Sequence, residues 1–183
     1  MWLSPKFKEG IKVRIHRKLP NEYKIKNATF EKTTTNKYYV AIVIEVADVE
    51  IKNKSKEILG IDLGIKNTVI LSNGEKYSIP ELKKYERRLK RLYRQLSKKQ
   101  KGSKNKEKAR LKLSKYIEKI NNIKNDWIHK TTYKIVSENQ VGKIAIEDLN
   151  VKGMLKNHYI AKSIQWQSWN KFITILKYKK IWY

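Results

Sequence analysis

"ILGIDLGIKNTVIL", residues 58–71, is an apolar run with one carboxylate, Asp62, in its middle. Taking an ionised carboxylate out of water costs several kcal/mol unless a partner offsets the loss, so its position needs a reason. The run reads as two strands, "EILGID" and "NTVILS", with Asn73-Gly74 as a hairpin signal before "EKYSI". Three antiparallel strands result.

Toward the N-terminus, residues 11–47 alternate in the manner of strands. "IKVRIH" places Ile11, Val13 and Ile15 on one face, and "KYYVAIVIEV" is rich in β-branched and aromatic residues. "KLPNEYK" and "KTTTNK" read as turns. The expected unit is a small antiparallel β module to about Asp48, followed by the polar linker "EIKNKSKE". Residues 1–57 then form one module with its linker, and 58–183 a second domain.

Toward the C-terminus the period becomes helical. Leu82, Tyr85, Leu89, Leu92 and Leu96 are spaced three and four apart. After a break at Gly102, a longer pattern carries Leu113, Ile117, Ile120, Ile123, Trp127 and Ile128. Together they predict an antiparallel helical hairpin over about 81–139. "VGKIAIE", residues 141–147, reads as a short buried strand ending in a carboxylate. "SIQWQSWNKFITILKYK" reads as one closing helix with Trp169, Phe172, Ile173 and Leu176 inward.

Asp62 and Glu147 therefore each end an apolar strand. If those strands are parallel neighbours, joined by the long crossover a parallel pair needs, both carboxylates lie at one sheet edge. Close carboxylates repel, and a divalent cation stabilises both in the ionised form. Mg²⁺ held by one or two carboxylates and substrate phosphates is the usual phosphoryl-transfer arrangement. A lone Asp after a strand is also a common turn or helix-cap group, and residue pattern alone leaves both readings open. Asp148, pointing to the other face of an extended strand, reads as a cap or turn group.

The net charge of +26, from 43 Lys and Arg against 17 acids, points to a polyanionic partner, with nucleic acid ahead of a membrane surface. "YYVAIVIEVA" is interrupted by Glu45 and falls short of the ~18 apolar residues of a span. "MWLSPKFKEG" lacks a signal peptide's apolar core, so the expected location is the cytoplasm, or the nucleus of a eukaryote. The absence of cysteine excludes disulfides and a Cys-ligated zinc site, and His16, His129 and His158 are scattered. Residues 81–115 hold 16 of the 43 basic side chains, offset only by Glu81, Glu86 and Glu107. Lys83, Lys84, Arg87, Arg88, Arg91, Arg94, Lys98, Lys99, Lys101, Lys104, Lys106 and Arg110 are the expected phosphate-tracking residues. Trp127, Trp166 and Trp169 lie on or beside apolar helix faces and are expected in the core rather than as base-stacking platforms.

Three segments in order, "GIDLGIKN", "GSKNKEKARLKLSKYIEKI" and "IAIEDLNVKGM", resemble the TnpB family (transposon-encoded OrfB), RNA-guided DNA endonucleases related to single-effector type V CRISPR enzymes. The resemblance covers nearly the whole stretch from Ile11 to Tyr183. It implies an α+β chain: a small antiparallel wedge-like β module that grips guide RNA and target duplex, then an α/β RNase H-like (RuvC) domain with an inserted long helical hairpin. It also implies that Asp62 and Glu147 are catalytic ligands of Mg²⁺ or Mn²⁺, and that DNA and guide RNA are the partners. Family members continue into a further strand, a four-Cys zinc ribbon and a third catalytic Asp, and they carry a large helical recognition domain. This sequence has no Asp or Glu after Asp148. The expectation is thus a fragment with a partial RuvC domain that binds metal weakly and is inactive alone, unless a second chain completes the fold. The alternative is a non-catalytic nucleic-acid-binding protein or RNA-guided repressor. "GIDLGIKNT" also resembles the first phosphate loop of actin-like and Hsp70-like ATPases, but Ile65 and Lys66 stand where that loop carries hydroxyl residues, and no second nucleotide motif follows.

Overall fold

A computed structural model describes residues 12–15, 19–46, 55–81, 83–139 and 141–182. The chain forms two compact units, Met1–Val49 and Glu50–Tyr183, with mixed helices and small sheets.

In the first unit, strands β1 (Lys24–Lys32) and β2 (Tyr38–Glu45) pair antiparallel, Phe30 opposite Val40 and Lys32 opposite Tyr38. A tight turn joins them, closed by the Lys37 amide donating to Thr33 Oγ1 at 3.1 Å. Alternation places the half-buried Val40, Ile42 and Ile44 on one face. The strand expected at "IKVRIH" is not formed by its described part. Residues 12–15 belong to no element, and Val13 and Ile15 are 39% and 60% exposed. Three alternating apolar residues specify a strand only when a partner strand accepts their backbone groups. Ile11, His16, residues 47–49 and the linker residues 50–54 lie outside the described residues, as does Leu82, and the last three residues of the expected linker, 55–57, open the next strand.

The second unit is built on a four-stranded sheet of order β5-β4-β3-β6, from β3 (Ser55–Asp62), β4 (Val69–Leu71), β5 (Lys76–Tyr77) and β6 (Val141–Ile146). β3, β4 and β5 run antiparallel. The loop between β4 and β5 is four residues, with Gly74 at φ 91 in the left-handed region, the geometry that lets a hairpin turn without splaying its strands. β6 pairs parallel with β3, Gly60 opposite Ala145 and Ile61 opposite Ile146. Between β5 and β6 the chain makes the hairpin of α1 (Lys83–Ser97) and α2 (Lys104–Asn139), whose N-terminus is capped by Ser103 Oγ accepting from the Lys106 amide at 3.2 Å.

Period-two alternation sends Leu59, Ile61, Leu63, Val69 and Leu71 to one face of the sheet, where all are buried. Ile128, Ile135 and Val136 of α2 complete this core, with Ile164 of α4 (His158–Gln167) and Trp169, Phe172, Ile175 and Leu176 of α5 (Trp169–Trp182). Each fully buried large side chain here contributes roughly 1.5–3 kcal/mol. Thr132, fully buried, is satisfied by donating to Ile128 O at 2.7 Å, so its hydroxyl costs little inside the core. The single closing helix expected from sequence is two helices. Ser168, at φ 58, leaves the right-handed region and breaks it, and a four-residue helix, α3 (Val151–Met154), precedes them.

The hairpin has its own core of Leu92, Leu113, Tyr116 and Ile120, with Tyr85, Leu89, Leu96 and Trp166 packed against it. α2, about 54 Å long at 1.5 Å per residue, thus serves two cores, one at each half. Trp166 of α4 joins the hairpin to the body. Its Nε1 donates to Pro80 O at 2.9 Å, its ring lies 6.3 Å from that of Tyr85, and the Lys124 ammonium sits 4.7 Å from its centre. Glu86 makes a second tie, accepting from Lys162 of α4 and, at 2.8 Å, from Lys90.

The bonds from Lys162 and then Lys90 hold the Glu86 carboxyl down to about 2, below the ordinary carboxylate range. A depressed carboxyl stabilises the fold fully above its unfolded value and loses that contribution as pH falls through the folded value. Stability measured by urea unfolding should therefore fall between about pH 5 and 2, and Glu86→Gln should flatten that fall while leaving the remaining acid dependence in place.

Candidate metal centre and nucleic-acid interface

Asp62 is not buried. Alternation along β3 turns Leu59 and Ile61 inward and Ile58, Gly60 and Asp62 to the other face, where Ile58 is 62% exposed. That face opens as a cleft of about 630 Å³ lined by Gly60, Asp62, Ile70, Ser72, Ala145 and Glu147. Asp62 is the last residue of β3 and Glu147 the first after β6, so the parallel register of Ile61 with Ile146 sets the two carboxylates side by side.

The pair interacts directly. A side-chain hydrogen bond with Asp62 is the main cause that raises the Glu147 carboxyl above its ordinary value, and the repulsion of the Asp62 charge adds to it. The Leu63 amide opposes this by donating to Glu147 Oε1 at 3.4 Å. Two adjacent carboxylates, once ionised, are a hard oxygen donor set of the kind that suits Mg²⁺ or Mn²⁺. Among the described residues no group of three or more His, Cys, Asp or Glu side chains is placed to hold an ion.

The loop after Asp62 is sharply turned. A Cβ on Gly64 would lie 2.8 Å from Asn67 O, so only glycine fits there. Asp148 is exposed and does not cap α3. Asn150 does, accepting from the Gly153 amide at 2.9 Å.

On α1 the apolar residues Tyr85, Leu89 and Leu92 face α2, and the basic residues take the opposite side. Lys84, Arg87, Arg88, Lys90, Arg91 and Arg94 line one groove of about 680 Å³. Arg88 is oriented by the Tyr116 ring, 4.8 Å from its guanidinium carbon. Five of the twelve basic residues expected from sequence thus meet in one groove. Lys83 faces a different cavity, beside Glu86 and Lys162. Lys98, Lys99 and Lys101 are exposed in the loop between the helices, and Lys104, Lys106 and Arg110 lie in the first turns of α2, outside the groove.

A family described as "Probable transposase" (OrfB_IS605) matches residues 41–158, a span that holds both carboxylates and the whole hairpin. The chain belongs to the TnpB/OrfB family. A Streptomyces pristinaespiralis protein named "Putative RNA-guided DNA endonuclease" is 33% identical over 176 residues, covering 96% of this chain and 43% of that protein. The "Putative RNA-guided DNA endonuclease InsQ" of Escherichia coli (strain K12) is 31% identical over 174 residues, covering 86% and 42%. This TnpB-family chain therefore spans 42–43% of the length of the curated relatives it matches. No helix among its described residues is long and apolar enough to cross a membrane.

Lys90 of the groove was not among the residues expected from sequence, although its spacing of four from Glu86 marked the ion pair that engages it. The Leu63 amide was missed because backbone donors leave no trace in residue type.

A raised carboxyl has the opposite linkage to Glu86. Deprotonating Glu147 is harder in the folded chain, so the pair's contribution to stability is present at low pH and falls as pH rises through its titration. Asp62→Asn should return Glu147 toward its ordinary range and remove that fall, as read by carboxyl carbon shifts in an NMR pH titration.

Proposed function

We propose that this chain is part of an RNA-guided DNA endonuclease in which Asp62 and Glu147 hold a catalytic Mg²⁺ or Mn²⁺. The observation that supports the reading most is the parallel β3–β6 register, with the two carboxylates adjacent at its end. Three antiparallel strands, a crossover and a fourth strand parallel to the first are what a partial RNase H-like (RuvC) domain requires, with α1 and α2 as its insertion. The ion would supply an activated water and charge neutralisation at the leaving oxygen of a DNA phosphodiester. Asp62 and Glu147 would orient it, and the groove on α1 would hold the strand by its phosphates. Guide RNA and DNA are the partners this assigns, and the β1–β2 unit takes the wedge-like role.

The second reading, a non-catalytic nucleic-acid-binding protein or RNA-guided repressor, is favoured by one observation. Among the described residues, no third His, Cys, Asp or Glu is brought to the pair. β6 is an outer strand of the described sheet, an edge open to pairing with a further strand.

Two outcomes test these readings. If binding runs through phosphates, the logarithm of affinity should fall with log salt by about 0.7–0.9 per contact. Replacing Arg87, Arg91 and Arg94 by Gln should flatten that slope, and an affinity independent of salt would sink the interface. The carboxylate pair should bind Mg²⁺ at about millimolar strength, near 4 kcal/mol, because Mg²⁺ relies on substrate phosphate to complete its shell. Calorimetry should show this binding lost in Asp62→Ala. The chain alone should not cut single-stranded DNA. Metal-dependent cutting abolished by Asp62→Ala would show that another group completes the site.

A further inference from the structure

Gln167, the last residue of α4, is 5% exposed, and both ends of its amide are committed to one loop. Nε2 donates to Ile65 O at 2.7 Å, and Oε1 accepts from Thr68 Oγ1 at 2.6 Å. Thr68, 1% exposed, extends the network by accepting from the Ile79 amide at 2.9 Å. The loop so held, residues 63–68, is the one that leaves Asp62. Its first amide, Leu63, donates to Glu147 Oε1, and its second, Gly64, donates to Thr68 O at 3.4 Å. Only the Leu63 amide of this loop is bonded to the carboxylate pair, at a long 3.4 Å, so small loop movements would change it.

A buried glutamine is tolerated only while both ends of its amide are bonded, whereas an apolar side chain of similar volume would fill the same space without needing partners. What the amide adds is geometry. It joins α4 to a loop about a hundred residues earlier, at two points three residues apart. The break at Ser168 ends α4 directly after this clamp, and α5 continues into the core.

We propose that Gln167 is a positioning residue for the carboxylate pair: through Ile65 and Thr68 it fixes the loop whose Leu63 amide holds Glu147 beside Asp62. This rests on reading the pair as a metal centre, and the test separates the two ideas. The variants are Gln167→Met, of similar length without hydrogen bonds, Thr68→Val, which removes the hydroxyl, and Thr68→Ser, which keeps it.

In the full chain without metal, amide exchange at Leu63 and Gly64 is compared with that at Ile135 and Leu176 in the core. Gln167→Met and Thr68→Val should speed exchange at the loop amides about tenfold and leave the core amides unchanged, with Thr68→Ser close to the parent. Mn²⁺ affinity by calorimetry should drop about tenfold in the first two variants and be retained in the third, as when a group orienting a metal ligand is removed. Exchange rising equally in loop and core would show Gln167 to be only a core contact and would overturn the proposal, as would exchange and affinity unchanged in Gln167→Met. A parent chain that binds no Mn²⁺ would remove the metal reading, while selective loop exchange would still support the clamp on the pair.

Discussion

The parallel pairing of β3 with β6 is the constraint on which the second unit depends. A parallel neighbour cannot be reached by a tight turn, so the chain must leave the sheet and return, and that excursion is the hairpin. The register has a chemical consequence too. Because side chains alternate with a period of two, a slip by one residue would bring Ile146 or Asp148 level with Asp62 and turn Glu147 to the opposite face. The burial of Leu59, Ile61 and Leu63 on the core face opposes such a slip. The same apolar residues that fold the sheet therefore keep the carboxylates together on its open side.

The hairpin solves a different problem. Sixteen cations over residues 81–115 repel one another, yet α1 and the start of α2 fold because one stripe of each is apolar and the charge is confined to the other side. Two anchors, Trp166 at Pro80 and Tyr85, and Glu86 at Lys162, fasten this charged element to the body. Glu86 engages Lys90 and Lys162, so the acid within the basic stripe serves the fold, leaving the arginines facing the groove.

Much of this was legible in the sequence. The strand pairs β3 to β5, the helical hairpin and the carboxylates at two strand ends follow from period two, period three to four and a turn signal. What escaped is of three kinds. Residues 12–15 alternate like a strand but take no part in one, because pattern without a pairing partner is not structure. The break at Ser168 has no glycine or proline to announce it. Gln167, Thr68 and Thr132 are polar residues in the core, satisfied by partners that only the folded chain supplies, and no local pattern could have placed them there. Asp148, read as a cap or turn group, does not cap α3, because the chain reaches the helix two residues later and Asn150 takes that place.

A parallel crossover can be closed by about a dozen residues, whereas here the chain runs from Tyr77 to Val141 before the sheet resumes. The surplus is a module with its own core, tied to the body at α4 and along the second half of α2. The strand register is set by β3 and β6 and by α2's second half, not by α1 or the start of α2. The basic face of the hairpin and the geometry of the carboxylates thus rest on separate parts of the chain. A lineage can retune one by ordinary mutation without first having to preserve, residue by residue, the other.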